Sequence, residues 1–196
     1  MKIVVLVGDG MGDFPVESLG GLTPLQAAKA PTLQKIASSG DLRMVNTVPK
    51  NLSPGSDVAN MALLGYDAEH SYTGRAPIEA AGANIKMNPS DVAFRCNLVT
   101  IEDNIMKDYS AGHISSKESD EIIKFLQNEL GDEQINFYSG VQYRHILMTK
   151  GMGENTICIP PQEIIDKNLL EFLPPGIDED RIIDVMKSSQ KILKNH

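Results

Sequence analysis

The chain has 196 residues, 41 % of them apolar, a composition that suits a globular protein with a buried core and excludes the collagen-like and disordered classes. Its 18 Lys and Arg against 26 Asp and Glu leave a formal charge of −8, which argues against general nucleic-acid or membrane-surface binding, because both need a basic face. No apolar run is long enough for a signal core or a membrane span, and Cys96 and Cys158 stand apart without CxxC spacing; the chain reads as cytoplasmic, with reduced core thiols and no thiolate zinc site.

The run KIVVLV at 2–7 is continuously apolar and β-branched, which predicts a strand buried on both faces and ending at Gly8. TPLQAAKA and PTLQKIASS predict a helical region punctuated by Pro31, with Gly40 just past its end. LRMVNTV predicts a second short strand. From Ser56 the apolar positions Val58, Met61, Ala62 and Leu64 follow helical spacing, and Gly65 suits a left-handed cap; Met61, Leu63 and Leu64 read as core. This alternation is the start of a parallel sheet covered by helices, an α/β pattern.

Beyond about residue 90 the pattern changes. DVAFRCNLVTIE predicts a strand, NIMKDYSAGHI a turn with another short strand, and SKESDEIIKFLQNELG an amphipathic helix ended by Gly131. QINFYSG and YRHILMTKG predict a hairpin. IPPQE and LPPG read as loops, and DEDRIIDVMKSSQKILKNH as a helix whose acidic start and basic end suit the macrodipole. Locally paired strands with helices in runs imply a smaller α+β unit.

Two stretches carry chemistry. In VGDGMGD, Asp9 falls at the carboxyl end of the first predicted strand, where open α/β sheets bind ligands, and so could hold a cation or a phosphate-bound metal. The alternative is a plain Gly-Asp-Gly turn. Gly8, Gly10 and Gly12 do not make GxGxxG in any register, and no GxxxxGK[ST] occurs, which excludes a dinucleotide fingerprint and a P-loop. In SPGSDVAN, Ser56 is placed as a helix N-cap, the commonest job of a serine there. The same free amides would also hold phosphate against it as a nucleophile, and without a GxSxG elbow or a local base a metal would have to activate it.

Taken in order, VGDGMGDFP, GLTPLQAAKAPTLQKIA, PGSDVANMALLGYD, YTGRAPIEAAG and DVAFRCNLVT resemble the archaeal-type, cofactor-independent phosphoglycerate mutases of the alkaline phosphatase superfamily. DYSAGHIS and YRHILMTKG continue the likeness, which fades after about residue 155. It implies an alkaline-phosphatase-like parallel sheet with an inserted α+β domain: residues 1–88 as the amino-terminal part of the phosphotransfer core and 89–196 as the inserted, substrate-clamping domain. By motif, Asp9 becomes a metal ligand, and Ser56 both binds metal and is phosphorylated. Two divalent ions, manganese, magnesium or zinc, would serve the transfer of a phosphoryl group between the hydroxyls of 3- and 2-phosphoglycerate in glycolysis.

Members of that family run to roughly twice this length, with their remaining metal ligands in the second half. No DGHD-like or GDH string occurs here, and the chain ends at KILKNH. The reading is therefore an amino-terminal part whose metal site needs ligands from a missing carboxyl-terminal half, and which alone is inactive; an oligomer is compatible with it. The family's inserted domain clamps phosphate and carboxylate with arginines and a histidine, which makes Arg75, Arg95, Asp108, His113, Arg144 and His145 the substrate-binding candidates. Arg75 in TGR is the foremost. Arg95 should face away from Phe94 and Cys96, and Arg144 and His145, as neighbours on a strand, should face opposite ways. Bacterial relatives with similar strings have been proposed as homoserine kinases, so the acceptor hydroxyl stays open between glycerate and homoserine. A non-catalytic phosphate- or metal-binding module is the third reading.

Overall fold

The computed structural model describes residues 2–174 and 180–195. The predicted Pro175–Gly176 loop, the acidic Asp178 and Glu179 and the terminal His196 lie outside the described residues. The chain divides into one compact unit up to Thr47 and a second from Val48 onward.

In the first unit, α1 (Pro24–Ala27) and α2 (Pro31–Ser39) each begin with proline at the first helical position, where its missing N–H costs nothing. Thr23 caps α1 in a capping box with Gln26. Gly40 follows α2 in an extended conformation. Neither predicted strand forms. Residues 2–8 and 41–47 join no ladder, and Ile3, Val4, Leu6, Leu42 and Met44 are exposed, Met44 completely. A run that is apolar on both faces forms a strand only where neighbouring strands take its N–H and C=O groups and helices cover it, and the described residues of this unit supply neither.

The second unit opens with α3 (Ser56–Leu63), α4 (Ala68–Ser71) and α5 (Arg75–Gly82). α3 ends in a Schellman arrangement: Gly65 has φ of 85°, its N–H donates to Ala62 and that of Tyr66 to Met61. The same closure ends α5, with Asn84 in the left-handed position. α3 buries only Val58; Leu63 and Leu64 are exposed, contrary to the core role expected of them, because among the described residues of this unit nothing covers those side chains.

Strands β1 (Asp91–Asn97) and β2 (Thr100–Glu102) divide the first predicted strand, β3 (Ile105–Asp108) is the short strand expected after it, and β2 and β3 pair through Asp103 and Asn104, both at positive φ as a tight hairpin turn requires. The amphipathic α6 (Ser116–Leu130) starts with a Ser115–Glu118 capping box. The expected hairpin is β4 (Ile135–Val141) with β5 (Arg144–Lys150), and β5 also pairs with β1, giving an antiparallel sheet in the order β1-β5-β4.

Both faces of this sheet are covered. On one, Ile123 and Leu126 of α6 pack with Ile135, Phe137 and Leu147, joined by Phe94, Cys96 and Val185 of α7 (Asp180–Leu193). On the other, Ala76 and Ala80 of α5 pack on Ala93 and Ile146. Cys96 lies in this core, where burial pushes its thiol up to about 11. Cys158, also expected in the core, is exposed in a stretch without regular structure. No helix among the described residues is long and apolar enough to cross a membrane.

Candidate active site

The turn into α3 is built on two neighbours of Ser56. Gly55, in extended backbone, is the N-cap, and Ser56 is the first helical residue, with no side-chain cap hydrogen bond at this terminus. The expectation that Ser56 caps α3 is thus corrected. Asp57, the second helical residue, turns its carboxylate back toward the first turn, where the nearby amides of Val58 and of Asp57 itself help to lower its pKa, and a Cβ on Gly55 would collide with it. The Ser56 hydroxyl is exposed at the positive end of the helix and makes no hydrogen bond among the described residues.

Tyr72, just after α4, donates its hydroxyl to Asp57 Oδ2 at 2.5 Å. Burial raises the Asp57 pKa, but the Tyr72 hydroxyl, the two amides and the Arg75 charge outweigh it and hold the carboxyl below its ordinary value. The Tyr72 phenol is pushed up to about 12, by burial first and then by its acceptor Asp57. Near neutral pH the pair is therefore a phenol donating to a carboxylate.

Arg75 opens α5 behind Gly74, whose φ of 121° favours glycine. Its Nε donates to Glu79 Oε1 at 2.7 Å. The other oxygen of Glu79 lies 3.3 Å from Arg95 Nε on β1. Ser56, Asp57, Arg75 and Glu79 line one open cleft of about 460 Å³, with Met61 and Leu64 as an apolar wall. Arg95 lies on the α5 side of β1 with Ala93, while Phe94 and Cys96 face α6, as strand alternation requires. Glu79 and Tyr72 carried no mark in the sequence, and Asp57 stood out only as a charge suited to the start of α3. The Arg75–Glu79 spacing of four on a helix was legible; the Tyr72–Asp57 bond, across a turn and a short helix, was not.

The remaining candidates lie elsewhere. Asp108, at the end of β3, accepts from the Ser110 amide and hydroxyl at 2.8 and 2.7 Å and from the Gly112 amide at 2.6 Å. Those bonds, the Ser110 hydroxyl first, hold its carboxyl below the ordinary range. They staple a loop in which Ala111, Gly112 and His113 all have positive φ. His113 is exposed on that loop. Arg144 pairs with Asn97 across the sheet, on the face that carries Arg95, and stacks 5.2 Å from the Tyr143 ring centre. His145 is on the opposite face, 2 % exposed, its Nδ1 accepting from the Gly140 amide and its Nε2 buried without a partner. Glu79 thus joins Arg75 to Arg95, Ser56 shares the cleft with Arg75 and Glu79, and His145 is turned away from them.

Asp9 is exposed in the first unit, in a turn with Gly10 at positive φ. A carboxylate and a serine hydroxyl are hard oxygen donors of the kind Mg²⁺ and Mn²⁺ take, but two donors fall short of a coordination shell. No group of three or more His, Cys, Asp or Glu side chains gathers as a cation cage among the described residues. The donor set fits divalent ions in type and not in number.

Residues 37–196 match the family model described as 2,3-bisphosphoglycerate-independent phosphoglycerate mutase. The chain belongs to that family. A phosphoglycerate mutase of this type from Methanosarcina barkeri is 50 % identical over all of this chain and 50 % of its own length, and one from Methanothrix thermoacetophila is 47 % identical over all of this chain and 49 % of its own. Among solved structures, the cofactor-independent phosphoglycerate mutase of Thermoplasma acidophilum is 32 % identical with a TM-score of 0.52, covering 95 % of this chain and 51 % of that one. The PH0037 protein of Pyrococcus horikoshii is 26 % identical with a TM-score of 0.68, covering 96 % and 43 %. The chain spans about half the length of the phosphoglycerate mutases it matches.

Proposed function

We propose that this chain is the nucleophile-bearing part of a cytoplasmic, metal-dependent phosphoglycerate mutase that interconverts 3- and 2-phosphoglycerate through a phosphoserine at Ser56. The observation that carries the reading is the exposed Ser56 hydroxyl, free of capping bonds at the N-terminus of α3, in one cleft with the Arg75 guanidinium. The names of the family and of the relatives support the substrate.

In this reading Ser56 Oγ forms a bond to phosphorus as the bond to the 3-oxygen of phosphoglycerate breaks, and the hydroxyl proton ends on that oxygen. The 2-oxygen of the retained glycerate then bonds to phosphorus, Oγ leaves, and the 2-hydroxyl proton returns to the serine. Arg75 and Arg95 hold the substrate's anionic groups by bidentate hydrogen bonds, with Arg144 and His113 as further candidates and Asp108 shaping the loop that carries His113; His145, buried on the opposite face of the sheet, does not reach this cleft. Two divalent ions, when bound, would neutralise charge on the transferring oxygens, and Asp9 and Ser56 are proposed as this chain's ligands to them. The remaining ligands, and the strands that would complete an alkaline-phosphatase-like parallel sheet around residues 2–8, are assigned to a carboxyl-terminal half, with the sheet unit from 89 onward as the inserted substrate-clamping domain.

The test joins this chain to the carboxyl-terminal half of the Methanosarcina barkeri relative. With manganese, the joined protein should interconvert the two phosphoglycerates, Ser56→Ala should abolish turnover, and the 196-residue chain alone should be inactive. Turnover by Ser56→Ala would remove the serine from the reaction, and phosphorylation of homoserine in place of glycerate would reassign the acceptor.

A further inference from the structure

Glu79 is a carboxylate in a cleft read as taking an anion, and ordinary charge repulsion makes it a poor choice there. It is equally poor as a helix stabiliser. Arg75 sits at the first position of α5 and Glu79 one turn later, so the cation is at the positive end of the helix dipole and the pair runs opposite to the favoured Glu-before-Lys order. The carboxylate is nevertheless partly buried and touches two arginines at once. Oε1 takes the Arg75 Nε–H at 2.7 Å, and Oε2 stands 3.3 Å from Arg95 Nε.

Both contacts are made to the Nε edge. Among the described residues, the Nη groups of Arg75 and Arg95 form no hydrogen bond to protein. The Arg95 Nε is buried and close to Glu79 by charge, yet outside hydrogen-bond geometry, so a small rotation on ligand arrival could complete its bond. Glu79 and the ionised Asp57 together balance the two guanidinium groups, so an anion would be taken here by the presented N–H groups rather than by net charge.

We propose that Glu79 is a positioning residue: it holds Arg75 on α5 and Arg95 on β1 by their Nε edges, so that their Nη groups are presented together to one substrate anion. This rests on the phosphoglycerate reading of the cleft. The guanidinium is a planar fork that binds an oxyanion through two parallel N–H groups only when its plane is fixed, and a carboxylate on the Nε edge fixes it without occupying the Nη pair. Glu79 also ties the helix that carries Arg75 to the strand that carries Arg95.

Two measurements test this separately. In the ¹⁵N-labelled chain, the Nε–H resonances of Arg75 and Arg95, assigned with Arg75→Lys and Arg95→Lys, should both shift in Glu79→Gln, with backbone amides beyond α5 and β1 unmoved. If only the Arg75 resonance moves, or neither does, the bridge does not exist. Titration with 3-phosphoglycerate should then show roughly tenfold weaker binding in Glu79→Ala and a smaller loss in Glu79→Gln, which keeps an acceptor oxygen. Loss of a negative charge beside an anion should by itself tighten binding, so unchanged or tighter binding in Glu79→Ala overturns the positioning role. If the unmodified chain does not bind 3-phosphoglycerate, or Arg75→Ala does not weaken it, the substrate reading of the cleft fails, and the Nε–H shifts still decide the bridge.

Discussion

The Tyr72 hydroxyl donates to the carboxylate of Asp57, the residue directly after Ser56. This bond ties the first turn of α3 to the loop that leads into α5, and so sets the proposed nucleophile and Arg75 in one local framework.

Tyr72→Phe removes the donor and leaves the ring. The carboxylate is only partly buried, so the expected cost is about 1 kcal/mol of stability, measured by urea unfolding, with the Asp57 pKa rising toward its ordinary value in a carbonyl NMR titration. Gly55→Ala pushes the same carboxylate aside. The two substitutions should therefore cost less together than the sum of their separate effects, and strict additivity would show that they act on different contacts.

His145 should make stability depend on pH. Burial, partly opposed by the Gln142 backbone and then by the charge of Asp120, lowers its pKa from 6.5 to about 4, and its Nδ1 already accepts a hydrogen bond that protonation at that nitrogen would remove. Between those values the unfolded chain binds a proton that the folded chain refuses. Stability is therefore complete above pH 6.5 and falls as pH drops through the window, by about 3 kcal/mol once pH is below 4. The ring C–H resonances of His145 should titrate near 4; a midpoint near 6.5 would mean that the folded protein does not exclude the charge.

Gly153 has φ of 85°, and a Cβ there would lie 2.7 Å from Phe94 Cζ and 3.0 Å from Ile182 Cδ1. Gly153→Ala combines a left-handed backbone with overpacking against β1 and α7, for an expected loss of about 2 kcal/mol in thermal or urea unfolding. Gly112→Ala, at positive φ but with open space around it, should cost about half as much.

The amides of residues 3–7 join no ladder here and should exchange with solvent at nearly unprotected rates in the 196-residue chain. In the chain joined to the carboxyl-terminal half of the Methanosarcina barkeri relative they should gain at least about a hundredfold protection. Equal exchange in both proteins would refute the assignment of this run to a completed sheet.

Much of the second unit was legible. The apolar spacing within SKESDEIIKFLQNELG was enough to draw α6, and the apolar run in YRHILMTKG facing QINFYSG was enough to draw β5. These elements depend on local periodicity and caps. The first unit was misread for the opposite reason: a β-branched run states what a segment can become, and a strand exists only with hydrogen-bonding neighbours. In the site, Ser56 and Arg75 stood out by motif, whereas the extended backbone that makes Gly55 and not Ser56 the N-cap is set by the turn geometry.

The sequence by itself determined the family, the helix that presents Ser56, the hairpin that builds the sheet and the opposite facing of Arg95 and Cys96, because each rests on ordered motifs, short-range spacing or strand alternation. Only the tertiary structure decided that one carboxylate, Glu79, reaches arginines on both a helix and a strand, that Tyr72 holds Asp57, and that His145 is turned from the cleft. Those relationships depend on how α5 and α6 pack on opposite faces of the sheet, and packing of that kind is set by buried shape and hydrogen-bond satisfaction across distant segments.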